Sequence, residues 1–515
     1  MLVEEFLEQS ARRFPGKTAL VCDGRRLSYR AVDDLSTSLS RALAARGVKR
    51  ADRVAVYMEN SAEAVISVFA ALKADAVFMV VNPTTKAGKL AYILNDAEAT
   101  ILLTHSSKLS VVRETLTQVP SLRAVYVAGG VSAQDTPAPV PLLPLEEALQ
   151  FPVLDAQFPA RRCIDVDLAA LIYTSGSTGK PKGVMLTHLN IVSAATSITT
   201  YLENTSDDII LNVLPLSFDY GLYQVLMAFK MGATVILERS FTYPYKVIDL
   251  ISKERVTGLP IVPTISAILL QMDLGKFDLS SLRYITNTAA ALPTDHILKL
   301  RRLFPHVRIF SMYGLTECKR VSYLPPDQLD RRPTSVGKAM PNVEVYIVDE
   351  QGRRLGPGEV GELVVRGSNV MKGYWKLPEE SERVLKPGPL PGERVLYSGD
   401  LFRMDEEGFL YFVGRRDDII KTRGERVSPK EVEDVLYRLD GVVEAAVVGV
   451  PDEVLGKAIK AVISLRKGVQ LTVQDVLAHC KANLEDFMVP KYVEIRDSLP
   501  KTSSGKISKL ELAQL

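Results

Sequence analysis

The chain has 515 residues, of which 47% are hydrophobic and 24% are charged, and its formal net charge is +2. This length exceeds what one ordinary hydrophobic core supports, so we expect at least two domains. The near-neutral charge predicts no nucleic-acid partner, and no apolar run reaches the roughly 18 residues that a membrane span needs. Four scattered cysteines without Cys-x-x-Cys spacing argue against a disulfide framework or a zinc site and favour a reducing, cytoplasmic location.

The first 150 residues alternate helix and strand patterns. Apolar residues at helical spacing predict a helix over residues 31–47 that ends at a glycine suited to a C-cap. Short β-rich runs at 53–58 and 76–81 flank a second helical pattern at 62–74. This alternation is typical of parallel strands joined by helical crossovers. The proline-rich segment 128–144 is predicted to be a surface connection.

The alternation continues beyond residue 200 and then changes character. Strand candidates lie at 209–214, 233–237 and 258–261, and a helix is predicted at 295–304. From about residue 337, short β-rich runs are separated by Gly and Pro turns. That pattern predicts a smaller β subdomain.

The last hundred residues are predicted to form a separate small α+β unit. The charged stretch 414–418 is a candidate linker. Ser428, Pro429 and Glu431 are predicted to begin a helix, in which Ser428 and Glu431 form a capping box. Two strands and a further helix are expected at 445–450, 461–465 and 473–482.

A loop rich in Gly, Ser, Thr and Lys, Tyr173–Gly183, follows the apolar run 168–172. Glycines allow backbone N–H groups to approach an anion, and successive N–H groups form an anion-binding concavity. This composition predicts a phosphate-binding loop, although Gly/Ser loops are often only flexible turns. It is not a Walker A loop, because Lys180 is followed by Pro181.

Tyr173–Gly183 resembles the signature loop of the adenylate-forming superfamily, which comprises acyl-CoA synthetases, peptide-synthetase adenylation domains and firefly-type luciferases. Further motifs of that superfamily are similar to Tyr313–Glu317, Tyr397–Asp400 and Pro500–Lys506. The resemblance therefore extends over almost the whole chain.

The resemblance implies an α/β fold with two domains. A large N-terminal domain of layered sheets and helices, residues 1–416, would include the β-rich subdomain at about 337–416. A small, mobile α+β C-terminal domain, residues 417–515, would rotate about a hinge at Asp417.

The implied activity is that of an AMP-forming acid–thiol ligase. ATP and Mg²⁺ would convert a carboxylic acid to an acyl-adenylate, which a thiol then attacks. The thiol would belong to CoA or to the phosphopantetheine arm of a separate carrier protein. An oxidative luciferase and a non-catalytic nucleotide- or acyl-binding relative are the alternatives of other classes.

The resemblance also implies roles for individual residues. Lys506 would stabilise the charge that develops during adenylation, Glu317 would hold Mg²⁺, and Thr316 would lie beside the α-phosphate. Gly424 would give room to the pantetheine arm in the second half-reaction. The residues implied to bind ATP or AMP are Thr174, Ser175, Gly176, Ser177, Thr178, Gly179, Lys180, Lys182, Tyr313, Asp400 and Arg415.

Within this set, Tyr313 would pack near adenine, and Asp400 would accept hydrogen bonds from the ribose. Arg415 would join Asp400 there as a guanidinium donor. The stretch Ala289–Ala291 departs from the glycine-richer version common in the family, which leaves the contacts on the adenine side open.

The acid pocket departs from the common pattern of the family. Phe218-Asp219 stands where many fatty and aryl acyl-CoA synthetases have Phe-His, although a second alignment equates Phe218 with that histidine. Asp219 could receive the ammonium group of an amino acid, as in adenylation domains, or it could be neutralised by Arg320. Alternatively, Arg320 could bind a second carboxylate, or both residues could bind a zwitterion.

Three further pocket residues are predicted, Tyr220, Tyr223 and Asn287. Together these polar side chains favour a small polar acid or an amino acid as the substrate. A medium- or long-chain fatty acid and an aryl acid remain the alternatives.

Overall fold

The computed structural model describes residues 1–131, 138–152, 162–174, 180–288, 292–416, 418–422, 425–452, 455–502 and 506–513. Its helices are α1 (Glu5–Arg13), α2 (Tyr29–Ala45), α3 (Ala62–Lys73), α4 (Ala87–Asp96), α5 (Leu109–Leu116), α6 (Leu145–Ala148), α7 (His188–Tyr201), α8 (Asp219–Met231), α9 (Pro244–Lys253), α10 (Pro263–Leu269), α11 (Thr294–Leu303), α12 (Pro378–Val384), α13 (Pro429–Leu436), α14 (Val473–Asn483) and α15 (Lys509–Leu512).

The strands of the first 240 residues are β1 (Thr18–Cys22), β2 (Arg25–Ser28), β3 (Arg53–Tyr57), β4 (Val77–Val80), β5 (Ala99–His105), β6 (Ala124–Ala128), β7 (Leu142–Pro144), β8 (Leu168–Thr174), β9 (Lys182–Thr187), β10 (Ile209–Asn212) and β11 (Thr234–Leu237). The later strands are β12 (Gly258–Ile261), β13 (Tyr284–Asn287), β14 (Arg308–Tyr313), β15 (Ser322–Tyr323), β16 (Lys338–Ala339), β17 (Val343–Val348), β18 (Val360–Gly367), β19 (Gly373–Tyr374), β20 (Leu385–Pro387), β21 (Arg394–Met404), β22 (Leu410–Arg415), β23 (Ile420–Thr422), β24 (Glu425–Val427), β25 (Val442–Asp452), β26 (Gly456–Leu465) and β27 (Tyr492–Arg496).

Two large mixed sheets form the N-terminal part of the molecule. One has the strand order β16-β15-β14-β13-β12-β10-β11-β1-β2, and the other has the order β19-β9-β8-β4-β3-β5-β6-β7. The consecutive pairs from β14 to β1 in the first sheet are parallel, as are those from β8 to β7 in the second. The parallel sheets expected from the alternating pattern are therefore present.

Strand β3 illustrates how the second sheet is buried on both faces. Val54 and Val56 join the large core shared by the two sheets, whereas Ala55 and Tyr57 join a second cluster on the opposite face. Successive side chains of a strand point to opposite faces. The unbroken apolar run Val54–Tyr57 is therefore typical of a parallel sheet covered on both sides.

The predicted helix over residues 31–47 is confirmed, with a boundary shift of about two residues. Ser28 caps α2 by accepting a hydrogen bond from the Ala31 N–H, and the helix ends just before Gly47, which has φ +86°. Glycine adopts this left-handed conformation without a Cβ clash, so it ends helices readily. The segment 128–144 differs from its prediction, because its last three residues form β7 and pair with β6.

A third sheet of five antiparallel strands, β17-β18-β21-β20 with β22 on β21, confirms the β-rich subdomain. The predicted linker 414–418 is wrong at its start. Gly414 and Arg415 belong to β22 and pair with Leu401 and Asp400 of β21. Backbone pairing thus fixes these two residues in a sheet, which their charged neighbours in the sequence did not indicate.

The C-terminal residues form a fourth sheet, β24-β23-β26-β25 with β27 on β26, and two apolar clusters of their own. Helix α13 begins after Ser428 as expected, but the predicted capping box is wrong. The Ser428 hydroxyl donates to the Val413 carbonyl oxygen rather than accepting from the helix. Ser428 therefore connects this unit to β22. The boundary at residues 416 and 417 stays a prediction, and Asp417 lies outside the described residues.

The overall α/β architecture agrees with the fold class expected from the sequence. Within the described ranges, none of the helices has the length and apolarity needed to span a membrane.

Candidate active site

Tyr313, Asp400 and Arg415 come together at the edge of the third sheet, next to the end of β14. The Tyr313 hydroxyl donates to Oδ2 of Asp400 at 2.5 Å, and Nε of Arg415 lies 3.5 Å from Oδ1. The Tyr313 ring packs edge-on against Phe402 at 4.8 Å between centroids. Burial raises the pKa of Asp400 above its ordinary value, while the Arg415 charge opposes that rise. The three residues predicted to surround the nucleoside are therefore neighbours.

Glu317 lies in the turn after β14 and contacts the short strand β19. Its Oε1 accepts a hydrogen bond from the Tyr374 hydroxyl at 2.7 Å, and its carbonyl oxygen accepts one from the Met371 N–H at 2.7 Å. Thr316 precedes it in the same turn and is half-buried. The sequence analysis missed Tyr374, because nothing in its local pattern distinguishes it from a core aromatic residue.

The two lysines of the signature loop lie near aromatic rings. Lys182 begins β9, pairs with Glu380 at 2.7 Å, and has its Nζ 5.5 Å from the centre of the Tyr374 ring. Lys180 has its Nζ 5.9 Å from the ring of Tyr92. Thr174 ends β8. The predicted phosphate-binding residues between Thr174 and Lys180 lie outside the described residues; they are Ser175, Gly176, Ser177, Thr178 and Gly179.

Lys506 of the C-terminal unit lies at the same site as these N-terminal residues. Its Nζ is 5.7 Å from the centre of the Phe218 ring. Burial lowers the pKa of Lys506, and so does the nearby positive charge of Arg415, whereas the charges of Asp219, Asp400 and Glu317 act in the opposite direction. The Lys506 ammonium group therefore interacts electrostatically both with the residues predicted to bind the nucleotide and with Asp219 of the predicted acid pocket.

Two hydrogen bonds connect Lys506 to Thr502. The Thr502 N–H donates to the Lys506 carbonyl oxygen at 2.7 Å, and the Lys506 N–H donates to the Thr502 hydroxyl at 3.2 Å. Lys501 and Ile507 form an antiparallel bridge on either side. These bonds hold the lysine on a defined backbone.

Asp219 is the first residue of α8, and its partner is Lys319 rather than Arg320. Nζ of Lys319 lies 3.4 Å from Oδ2 of Asp219 and 4.4 Å from the centre of the Tyr223 ring. The suggestion that Arg320 neutralises Asp219 is therefore wrong. Lys319 was missed, because its charge alone gave no sign that the side chain would be buried.

Arg320 is buried, with 2% of its surface exposed, and lies 5.5 Å from the centre of the Tyr220 ring. Tyr220 in turn donates to the Thr286 carbonyl oxygen at 2.8 Å, one residue before the buried Asn287 at the end of β13. The predicted pocket residues thus share one region between α8, β13 and the turn after β14.

The turn that carries Lys319 and Arg320 has an unusual backbone. Lys319 has φ +63°, and a Cβ at Gly314 would lie 2.2 Å from the Lys319 carbonyl oxygen. Asn369 donates through Nδ2 to the carbonyl oxygens of Cys318 and Arg320, at 2.8 and 2.9 Å. Asn369 therefore stabilises the turn through hydrogen bonds to its backbone, a role that the sequence analysis did not predict.

No group of three or more His, Cys, Asp or Glu side chains in the described ranges could hold a metal ion. Mg²⁺ does not require such a group, because it is commonly bound by one or two carboxylates together with substrate phosphates. Glu317 fits this pattern, since its hydrogen bond to Tyr374 engages one of its two oxygens.

Comparisons with known proteins identify a family and several relatives. Residues 7–375 match the AMP-binding enzyme family, and residues 431–506 match the AMP-binding enzyme C-terminal domain. A long-chain-fatty-acid–CoA ligase of Bacillus subtilis (strain 168) is 32% identical over 99% of this chain and 94% of its own length. A feruloyl-CoA synthase of Amycolatopsis sp is 34% identical over 98% of this chain and 96% of its own length.

The structure is also similar to that of the anthranilate CoA ligase AuaEII in complex with anthranoyl-AMP. The TM-score is 0.91 at 28% sequence identity, with 99% of this chain and 96% of that chain covered.

Proposed function

The chain belongs to the AMP-binding enzyme family, and from that premise we propose that it is an AMP-forming acid–thiol ligase. A carboxylate oxygen attacks the α-phosphorus of ATP, and pyrophosphate leaves with the electron pair of the broken P–O bond. A thiol sulfur then attacks the acyl carbon, AMP leaves, and the thiol proton passes to solvent. The observation that carries this proposal is the location of Lys506 among Asp400, Arg415, Glu317 and Phe218.

The nucleoside is bound at the Tyr313–Asp400 pair. Asp400 accepts hydrogen bonds from the ribose hydroxyls, as buried carboxylates do in other nucleotide sites. Arg415 favours the ionised form of Asp400 against the effect of burial, and it adds a donor of its own. The loop from Thr174 to Lys182 holds the β- and γ-phosphates, which are the leaving group.

Lys506 stabilises the bond-forming step. Both reactants are anions, so catalysis depends mainly on neutralising and aligning them. The Lys506 ammonium bridges the attacking carboxylate and the α-phosphate. Mg²⁺, when bound, neutralises phosphate charge, and Glu317 is the residue that would hold it, with Thr316 beside the α-phosphate.

The thiol half-reaction uses another face of the C-terminal domain. We place the hinge at Asp417 and the pantetheine passage at Gly424, both outside the described residues. CoA is the favoured thiol over a separate carrier protein, because the relatives named above are CoA ligases or a CoA synthase. In a Gly424→Leu variant, thioester formation is lost while pyrophosphate exchange persists; equal loss of both activities contradicts this assignment.

The acid is small and polar. The pocket region is filled by the Lys319–Asp219 pair and the Arg320 side chain, which are poor neighbours for a long alkyl chain. An amino acid is less favoured than the sequence suggested, since Asp219 already has a cation partner. A fatty or aryl acid is the second candidate, because relatives with those substrates in their names match nearly the whole chain.

The test is ATP–pyrophosphate exchange with a panel of fatty, aryl, amino and dicarboxylic acids, repeated as AMP release with CoA. Exchange with at least one acid, followed by CoA-dependent AMP release, supports the ligase. ATP binding without exchange for any acid would instead indicate a non-catalytic relative. Light emission with oxygen would indicate the luciferase branch.

A further inference from the structure

Two cations lie side by side in the buried acid pocket, opposite a single carboxylate. Lys319 and Arg320 are 4% and 2% exposed, and both follow β14 in the same turn. Among the described residues, only Asp219 has a carboxylate within ion-pair distance of either side chain, and it pairs with Lys319. When Lys319 is protonated, the described residues therefore leave one buried positive charge without a counterion.

The uncompensated charge belongs to Arg320. Its Nε and Nη1 atoms are buried, and within the described part of the chain neither has a hydrogen-bond partner. Its guanidinium faces the ring of Tyr220 at 5.5 Å. A ring face attracts a cation but provides no acceptor for N–H groups in the guanidinium plane. Because buried donors without acceptors destabilise a protein, such an arrangement points to a ligand that supplies the acceptors.

We propose that Arg320, with Lys319 beside it, binds a second carboxylate of the substrate, so that the enzyme activates a dicarboxylic acid. This inference rests on the proposed function and specifies its substrate class. Arginine suits the task, because its planar fork of donors matches the two oxygens of a carboxylate. The Lys319–Asp219 pair is then a neutral wall of the same pocket.

Lys506 and Arg320 are connected through two neighbouring aromatic rings. Lys506, at the reacting end, lies 5.7 Å from the Phe218 ring, whose centre is 6.3 Å from that of Tyr220. Arg320 lies 5.5 Å from the Tyr220 ring. Lys506 and Arg320 thus lie near neighbouring rings at the start of α8, so the proposed partners of the two carboxylates belong to one region.

A simpler explanation is that Arg320 serves only to pack against Tyr220. In that case, replacing Arg320 by an apolar side chain of similar length lowers activity on all acids to the same extent. The proposal makes a different prediction, namely a change in the preference between acids that differ only in the second carboxylate.

The experiment compares two matched pairs of acids, butanoate with succinate and 4-methylbenzoate with terephthalate, by acid-dependent AMP release. The wild-type enzyme is expected to prefer the diacid of at least one pair about tenfold or more in kcat/KM. In Arg320→Met, the ratio of diacid to monoacid should fall about 10- to 100-fold, the range for losing hydrogen bonds to a charged group. Arg320→Lys should restore part of the ratio.

Arg308→Met is the matched control, since Arg308 is a partly exposed arginine of β14 that pairs with Glu203. Its ratio should equal that of the wild type. If the Tm shows that Arg320→Met does not fold, the proposal is tested by the ratio of diacid to monoacid kcat/KM in the wild type and in Arg320→Lys.

Two outcomes separate the proposals. If the wild type uses the monoacids as well as the diacids, or Arg320 variants leave the ratio unchanged, the diacid inference is overturned and the ligase stands. If no acid in these pairs or in the wider panel supports AMP release or pyrophosphate exchange, the proposed function itself is overturned.

Discussion

Nζ of Lys506 lies 5.7 Å from the centre of the Phe218 ring, although the two residues are almost 300 positions apart in the sequence. Phe218 immediately precedes Asp219 at the start of α8, so the contact brings the C-terminal lysine to the mouth of the acid pocket. A lysine there is a movable positive charge close to where a carboxylate would meet a phosphate.

Lys506→Ala should lower ATP–pyrophosphate exchange by a factor of about 100 or more, the range seen when one preorganised charge-stabilising group is removed. Thioester formation from supplied acyl-adenylate should fall at least tenfold less than exchange, because the lysine is proposed to act in the first half-reaction. Isotope exchange and CoA-dependent AMP release measure the two steps. Lys509→Ala, which removes a partly exposed lysine paired with Glu433, is the control. Unchanged exchange in Lys506→Ala would show that the assignment is wrong.

Asp400→Asn should raise the KM for ATP about 10- to 100-fold, because it removes a charged acceptor from the nucleoside site. Tyr313→Phe should raise it less than about fivefold, since the ribose would replace the Tyr313 hydroxyl as the partner of Asp400. Asp349→Asn changes a carboxylate in an exposed turn of the same subdomain and should leave the KM unaffected. Equal effects of Asp400→Asn and Asp349→Asn would contradict a role in nucleotide binding.

Asn369→Ala should lower the free energy of unfolding by about 2–4 kcal/mol, because two buried carbonyl oxygens lose their donor. The KM for the acid should rise more than the KM for ATP, since the turn that Asn369 holds carries Lys319 and Arg320. Urea unfolding and steady-state kinetics test the two parts. Asn483→Ala is the control, because it removes one exposed hydrogen bond from a side-chain amide to the His479 carbonyl oxygen at the end of α14. If the KM for ATP rises as much as the KM for the acid, Asn369 contributes only to stability and does not position the acid pocket specifically.

The stability of the protein should depend on pH through Lys319. Burial lowers its pKa from 10.5 to about 7, while Arg320 also lowers it and Asp219 opposes the shift. Between these pH values the unfolded chain binds a proton at Lys319 that the folded chain does not. The free energy of unfolding therefore rises with pH from about 7 towards 10.5, by at most about 1.4 kcal/mol per pH unit.

The measurement compares the wild type with an Asp219→Asn/Lys319→Met double variant, in which the pair is removed without leaving either charge alone. Urea titrations from pH 7 to pH 10 should show the wild type gaining stability relative to the double variant as pH rises. Parallel pH profiles for the two proteins would mean that Lys319 does not titrate in this window.

Local patterns in the sequence were enough for most of the fold. The 3.6-residue spacing of α2, the glycine that follows it, and the apolar run Val54–Tyr57 of β3 each express a backbone preference or a burial pattern within a few neighbours. The same holds for the motifs Tyr313–Glu317 and Tyr397–Asp400. The capping box at Ser428 failed for the converse reason, because a distant carbonyl oxygen, that of Val413, competed successfully for its hydroxyl.

The sequence by itself determined that the chain has parallel α/β layers, a β-rich subdomain and the motifs of one enzyme family, since these depend on short-range spacing. Only the tertiary structure decided which cation neutralises Asp219. Its partner Lys319 is 100 residues away and reaches it through a turn with positive φ, which Gly314 permits and Asn369 holds. Which charges face each other in a buried pocket is set by the packing of several elements at once, and among the described residues that packing gave Asp219 to Lys319 rather than to Arg320.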